Sequence, residues 1–449
     1  MSIPSHDDES RRFAHRLVDL LFDHVQTIGS RPVVDWKPSP ELRELVRLDA
    51  EPEAAEALVR RVLDESIQLH HPSYMGHQVC PPFPAASLAD LLISTLNQST
   101  AVWEMSPIAT MIEKEVVRWL ADRAGYPAGS EGTFVSGGSA ANLTGLLAAR
   151  ARWNAEATGK RPVILCSADA HYSIARAAAI IGLPPEATIK VKTDAQHRLD
   201  VDALDEVLAA IEADEERSVL AIVATAGSTA TGAFDQLEEI AGLRDRYRTW
   251  LHVDAAHGAS VLLSARLAHL AHGLRHADSF SWDPHKMLWM PLSAGAIFVR
   301  HGEWLRRAFE ADAPYLFHAE RAGENLGEMT IQCSKRADAI KLWLSLRMYG
   351  VGAFAEALEK VTAVTRYAYE TVVASDDFEA MHAPHFNIFC FRHKSGDNAV
   401  IREKLLRSGE AWITSTLLRG ERVLRITVIN PRTERSHIDA MLHAVRALA

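Results

Sequence analysis

The chain has 449 residues, 48% of them hydrophobic, enough to bury a large core and to divide into two or three lobes. Its 48 Lys+Arg against 58 Asp+Glu leave a net charge of −10 with no basic block, so neither nucleic acid nor an anionic membrane surface is expected as a partner. Cys80, Cys166, Cys333 and Cys390 are far apart with no CxxC pair, which argues against a disulfide framework or a thiolate metal site and for a reducing, cytoplasmic compartment.

The N-terminal stretch MSIPSHDDESRR has no apolar targeting core, and no run reaches the roughly 18 apolar residues of a membrane span. Apolar residues at helical spacing predict helices in SRRFAHRLVDLLFDHVQTI and, after the Pro-rich break RPVVDWKPSPE, in EAAEALVRRVLDESIQL. Residues 1–72 therefore read as a helical arm in need of a surface. From 73 to 350, β-branched runs alternate with helical stretches: PVILCS (162–167), TIKVK (188–192), SVLAIVATA (218–226), TWLHVDAA (249–256), DSFSW (278–282) and AGAIFVR (294–300). That alternation predicts a mostly parallel sheet between helices, an α/β architecture. After the helical run RADAIKLWLSLRMYG, residues 351–449 offer a helix near 353–374 and the strands FNIFCFR (386–392) and RVLRITVI (422–429), a small α+β domain.

Ligands of a parallel α/β sheet bind at the carboxyl ends of its strands, so the residues just past each run carry the chemistry. GTFVS is followed by GGSAANLTGLLAAR, where glycines admit an anion, Ser139 offers a hydroxyl and a helix presents its first N–H groups, a cradle for phosphate. Alone, such a turn is equally a tight strand-to-helix junction. SADAHYSIARAA places His171 past the next strand, where an imidazole can stack on a flat ring; LHVDAAHGAS ends a buried strand on Asp254, a carboxylate that needs a cationic partner. SWDPHKM sets Lys286 beside His285, and a desolvated ammonium sheds its proton and becomes a nucleophile. A phosphate cradle, a stacking histidine, a buried carboxylate and an imine-forming lysine together fit pyridoxal 5′-phosphate (PLP): the carboxylate pairs with the pyridine nitrogen and Lys286 holds the aldehyde carbon as an internal aldimine.

The order and spacing of HPSYMGHQ, SGGSAANL, AHYSIARA, GSTATGAFD, HVDAAHG, DPHK and IQCSKRADAIKLWL resemble the group II PLP-dependent amino-acid decarboxylases, the family of aromatic-amino-acid and glutamate decarboxylases, over about residues 70–430. The resemblance implies the fold of aspartate aminotransferase, that of the fold-type I PLP enzymes, with a seven-stranded sheet, and a homodimer with active sites at its interface and N-terminal helices wrapping the partner. It implies that His171 stacks over the cofactor ring, Asp254 holds its nitrogen, Ala256 packs beneath it, Gly138 and Ser139 bind phosphate, Thr229 supports the Asp254 end, and His285 and Lys286 complete the site. Arg425, in RVLRITVINPRT, is similar to the arginine that grips the substrate α-carboxylate, and Gln78, Phe83 and Trp103 are candidates for the side-chain pocket. Some motifs resemble the glutamate branch and others the aromatic branch, which leaves the substrate side chain open. No metal is implied: His252, Asp254 and His257 do not form a compact ligand set.

Two departures stand out. Asp283 occupies the position where the family pattern has asparagine, putting a carboxylate near the phosphate. The loop 313–330, expected to close over the site, has Glu324, Asn325 and Leu326 where family decarboxylases carry the tyrosine that reprotonates Cα; its tyrosine, Tyr315, lies earlier. Members without that tyrosine can let oxygen capture the carbanion and release an aldehyde, so decarboxylation to an amine, with His318 or His171 as proton donor, stands beside decarboxylation-coupled oxidative deamination. A dinucleotide oxidoreductase would require a GxGxxG that is missing after the first strand, and a non-catalytic binding protein of this fold would have no need of intact Lys286, Asp254 and His171.

Overall fold

A computed structural model describes residues 7–49, 53–156, 159–311, 313, 316–317 and 324–449. The residues group into two compact units, one of residues up to 77 with 366–381 and 390–449, the other of 78–365 with 382–389. Among the described residues no helix is long and apolar enough to cross a membrane.

The first segment carries α1 (Asp8–Thr27), capped by the Asp7 carboxylate on the Ser10 N–H, then α2 (Ser39–Leu45) and α3 (Ala55–Glu65). The next two helices both start on prolines, whose fixed φ suits a first turn: α4 (Pro84–Leu96) and α5 (Pro107–Arg123). Strands then alternate with helices: β1 (Glu131–Val135), α6 (Gly138–Glu156), β2 (Arg161–Ser167), α7 (Ser173–Ile180), β3 (Thr188–Val191), α8 (Val201–Glu212), β4 (Arg217–Thr225), α9 (Leu237–Tyr247), β5 (Leu251–Asp254), β6 (Ser279–Trp282), α10 (Pro284–Met287), β7 (Gly295–Val299) and α11 (Gly302–Ala308). The long α12 (Ala339–Val373) is interrupted at Gly350, where φ is +71°. β8 (Phe378–Ala380), β9 (Ile388–His393), α13 (Asn398–Ser408), β10 (Thr414–Leu418), β11 (Glu421–Thr427) and α14 (Arg435–Leu448) complete the chain.

All seven strands of the first sheet lie in the larger unit, in the order β1-β7-β6-β5-β4-β2-β3. β7 is antiparallel to both neighbours and the remaining pairs are parallel. The carboxyl ends of β1, β2, β4, β5 and β6 and the start of β7 therefore share one edge. Near-continuous burial along β4, β5, β6 and β7 explains their apolar sequences: strands covered on both faces have no solvent side to alternate with. The second sheet runs β10-β11-β9-β8. β8 and β10 escape the sequence pattern because β8 is three residues long and β10, TSTLL, begins with polar residues.

The outer strand β1 is closed by a charge. Glu113, fully buried on α5, accepts the Phe134 N–H and the Thr133 hydroxyl, both at 2.8 Å, and pairs with the buried Lys335 ammonium at 2.5 Å. This blunts the sheet edge against further strand pairing. Removing one member strands the other, so Glu113→Ala should lower unfolding stability by about 3–5 kcal/mol in urea titrations, and Glu113→Leu with Lys335→Met should lose clearly less. Equal losses in the two variants would contradict the pairing.

Candidate active site

A cavity of about 340 Å³ opens at the shared strand edge, lined by Gln78, residues 136–140 and 142, His171, Thr225, Gly227, Thr229, Asp254, Ala256, His257, Asp283, His285, Lys286 and Leu292. Five of the seven strands contribute through their ends: β1 leads into Ser136, Gly138 and Ser139, β2 into His171, β4 into Thr225 and Thr229, β5 into Asp254 and Ala256, and β6 into Asp283, His285 and Lys286. The buried Asp235 carboxylate, two residues ahead of α9, ties Thr225 to a neighbouring loop by accepting both the Thr225 and the Leu199 N–H at 2.7 Å. Burial raises the Asp235 pKa to about 6.

Asp254 is buried at the end of β5 and accepts from Asn142 Nδ2 at 2.9 Å, Ser281 Oγ at 3.2 Å and the Ala256 N–H at 3.3 Å. Asn142 also donates to Ser173 Oγ at 3.0 Å, and its carbonyl meets His252 Nε2 at 3.0 Å. His252 Nδ1 lies 2.8 Å from Ser279 Oγ, which takes the Trp250 indole N–H at 2.9 Å. A carboxylate and an amide oxygen only accept, so the two amide hydrogens of Asn142 go to Asp254 and Ser173 and His252 donates from Nε2. The neutral His252 then accepts from Ser279 on Nδ1. The Ser173 backbone N–H points at His171 Nδ1 at 3.4 Å, which makes that nitrogen an acceptor, and the Ser173 hydroxyl 2.8 Å away donates to it as well. His171 is thus a neutral imidazole protonated on Nε2, in keeping with burial as the main cause that lowers its pKa. Its ring centroid lies 4.2 Å from that of Tyr172.

Lys286, its side chain 19% exposed, places Nζ 3.1 Å from Asp283 Oδ2. The same oxygen accepts the Gly138 N–H at 3.0 Å. His285 accepts the Ala294 N–H on Nδ1 and is held below the ordinary histidine pKa by burial.

The residues fit PLP. Lys286 is the lysine of the cavity lining, Asp254 its buried carboxylate, and Thr225 Oγ1 and Gln78 Nε2 are buried without hydrogen-bond partners among the described residues. The start of α6 has no room for a side chain, so its backbone faces the cavity bare: a Cβ on Gly138 would lie 3.0 Å from Ala256 Cβ and 2.9 Å from Asp283 Oδ2. Asp283 is the one discordant group, a carboxylate in an anion's cradle.

The cavity brings together Gly138, Ser139, His171, Thr229, Asp254, Ala256, His285, Lys286 and Gln78. Phe83 and Trp103 are not among its lining residues. Phe83 is drawn into an aromatic cluster, stacked on Trp289 at 5.1 Å and edge-on to Tyr349, while the Trp103 N–H bonds to Asn325 Oδ1 in a short turn. Arg425 belongs to the other unit, on β11, buried with Nε donating to Thr414 Oγ1 at 3.0 Å. His318 and Tyr315 lie outside the described residues. Sequence reasoning missed Asn142, Ser173, Thr225 and Ser281; their place in the first residues of a helix or at a strand end was the available signal. No cluster of metal-ligating side chains occurs among the described residues.

Residues 51–394 match the pyridoxal-dependent decarboxylase conserved domain. The chain is 34% identical to the L-2,4-diaminobutyrate decarboxylase of Rhizobium meliloti (strain 1021), over 98% of this chain and 92% of that one. It is 30% identical to the aromatic-L-amino-acid decarboxylase of Bacillus atrophaeus, over 98% and 96% respectively. Among solved structures, Oryza sativa TDC with PLP and tryptamine superposes with a TM-score of 0.91 at 25% identity, covering 100% of this chain and 99% of that one.

Burial lowers the pKa of His252, His70 and His382 to about 4 each, against an ordinary histidine value near 6.5. Between those values the unfolded chain binds protons the folded one refuses, so stability present above pH 6.5 is lost as pH falls toward 4. Asp235, raised to about 6, acts in the opposite sense but is a single group against three. Urea midpoints should therefore fall from pH 7 to pH 4.5; a flat or rising midpoint would contradict the buried neutral histidines.

Proposed function

The chain belongs to the family of pyridoxal-dependent decarboxylases, and on that premise we propose that it removes the α-carboxylate of an L-amino acid as CO₂ and releases the corresponding amine. It is a PLP-dependent carboxy-lyase of amino-acid metabolism. The observation that carries the finer reading is the grouping of Lys286, Asp254 and His171 around one cavity.

When bound, PLP supplies the electron sink for the pair left on Cα as CO₂ departs. In this reading Asp254 keeps the pyridine nitrogen protonated, its own charge steadied by Asn142 and Ser281. Lys286 would supply the amine that anchors the cofactor. His171 and Ala256 would hold its ring, Gly138 and Ser139 its phosphate, Thr229 would support the Asp254 end, and His285 would fix the turn that carries Lys286. Arg425 is assigned to the substrate carboxylate on the resemblance alone. Gln78 Nε2 is a buried donor with no partner among the described residues, which a substrate side chain carrying a hydrogen-bond acceptor would satisfy and an aromatic or purely donating one would leave stranded. We therefore assign a short polar side chain with an accepting oxygen to the substrate.

A homodimer completes the reading. α1 and α3 are amphipathic yet bury none of their residues within the chain, and α4 exposes Leu88, Leu91, Leu92 and Leu96 at helical spacing beside Ile108 and Met111 of α5. An apolar stripe of this extent implies a covering surface.

Holoenzyme incubated with L-2,4-diaminobutyrate, L-cysteine sulfinate, L-glutamate, L-phenylalanine and L-tryptophan should release CO₂ and amine in equal amounts, with kcat/KM for the favoured polar substrate about tenfold or more above the aromatic ones. Aldehyde with peroxide as the main products would overturn the amine reading. Lys286→Ala should abolish CO₂ release from every substrate, and retained turnover would remove Lys286 from its role. Sedimentation should report a dimer that Leu91→Glu with Leu92→Glu converts to monomer; a monomeric wild type would refute the interface.

A further inference from the structure

Asp283 puts a second anion where the cofactor phosphate is expected. The residue is 1% exposed, and its Oδ2 takes the first N–H of the nineteen-residue helix α6, at Gly138, while lying 3.1 Å from Lys286 Nζ and 3.5 Å from His285 Nε2. Oδ1 is buried with no hydrogen-bond partner among the described residues. The carboxylate has little room to withdraw: a Cβ on Gly138 would lie 2.9 Å from Oδ2 and one on Gly295 would lie 2.7 Å from Oδ1, so it is wedged between the start of α6 and the start of β7. An ionised carboxylate has no proton to offer a phosphate oxygen, and a helix N-terminus that already serves one anion has less to give another.

We propose that Asp283 sets the affinity for the cofactor by opposing its phosphate: it is an anion built into the cradle, competing with the phosphate for the Gly138 N–H and repelling its charge. The consequence is a cofactor held less firmly through its phosphate than through its ring, so that occupancy of the enzyme follows the concentration of free PLP. This rests on the reading of the cavity as the cofactor site.

Comparing two ligands isolates the effect. Wild type and Asp283→Asn, each stripped of cofactor, are titrated by absorbance with PLP and with pyridoxal, which lacks the phosphate. Loss of the Asp283–Lys286 pair acts on both ligands alike and cancels in the ratio of their affinities. That ratio should rise in favour of PLP by about tenfold or more in Asp283→Asn, and inorganic phosphate should compete with PLP more strongly by a similar factor. Asp283→Ser, neutral and smaller, should shift both quantities in the same direction and stands in if the asparagine variant does not fold. An unchanged or reduced ratio in a variant that still binds pyridoxal overturns the proposal alone. A wild-type protein that binds neither ligand overturns the cofactor-site reading and the proposal with it.

Discussion

The carboxylate of Asp254 is buried at the end of a strand with three other strands on each side of it in the sheet, and its surroundings are arranged to keep it there. An uncompensated charge in such a place would cost several kcal/mol. Asn142, Ser281 and the Ala256 amide all donate to it, and the donors are themselves fixed: Asn142 by His252, His252 by Ser279, Ser279 by Trp250. A change of direction anywhere along this chain would leave a buried polar atom unmatched. The same network ends on His171 through Ser173, so the residue proposed for one face of the cofactor and the residue proposed for its nitrogen are oriented by one asparagine.

Strand direction supplies the second constraint. Because β7 runs against its neighbours, its first residue meets the end of β1 at the cavity edge, and the approach is close enough that a Cβ on Gly295 would lie 2.4 Å from Gly137 Cα. Glycine at both positions lets the β1–α6 turn and the β6–α10 turn share a wall. Asp283 on one side and Gly138 on the other are thereby brought within hydrogen-bonding distance from points 145 residues apart in sequence.

Much of this was legible in the chain. Strands buried on both faces write themselves as unbroken apolar runs, which is why β2, β4, β5 and β7 could be bounded to within a few residues, and the strand-end rule then singled out Lys286, Asp254 and His171. Asn142 was hidden because a polar residue inside a helix reads as a solvent-facing one, and only the sheet's geometry turns it toward Asp254. Thr225 and Ser281 were hidden in the same way, as ordinary β-formers. Phe83 misled in the opposite direction, since an aromatic beside prolines suits a pocket wall as well as the Trp289 stack it forms. The short β8 and the polar start of β10 carry no periodic signal at all.

If the strand ends converge on a cofactor, Lys286 is the residue that anchors it. Borohydride reduction of the PLP-loaded enzyme, followed by proteolysis and mass spectrometry, reads the anchor out. One pyridoxyl-modified site is expected, Lys286, in the peptide that spans SWDPHKMLWM; modification at any other lysine with Lys286 untouched would overturn the assignment.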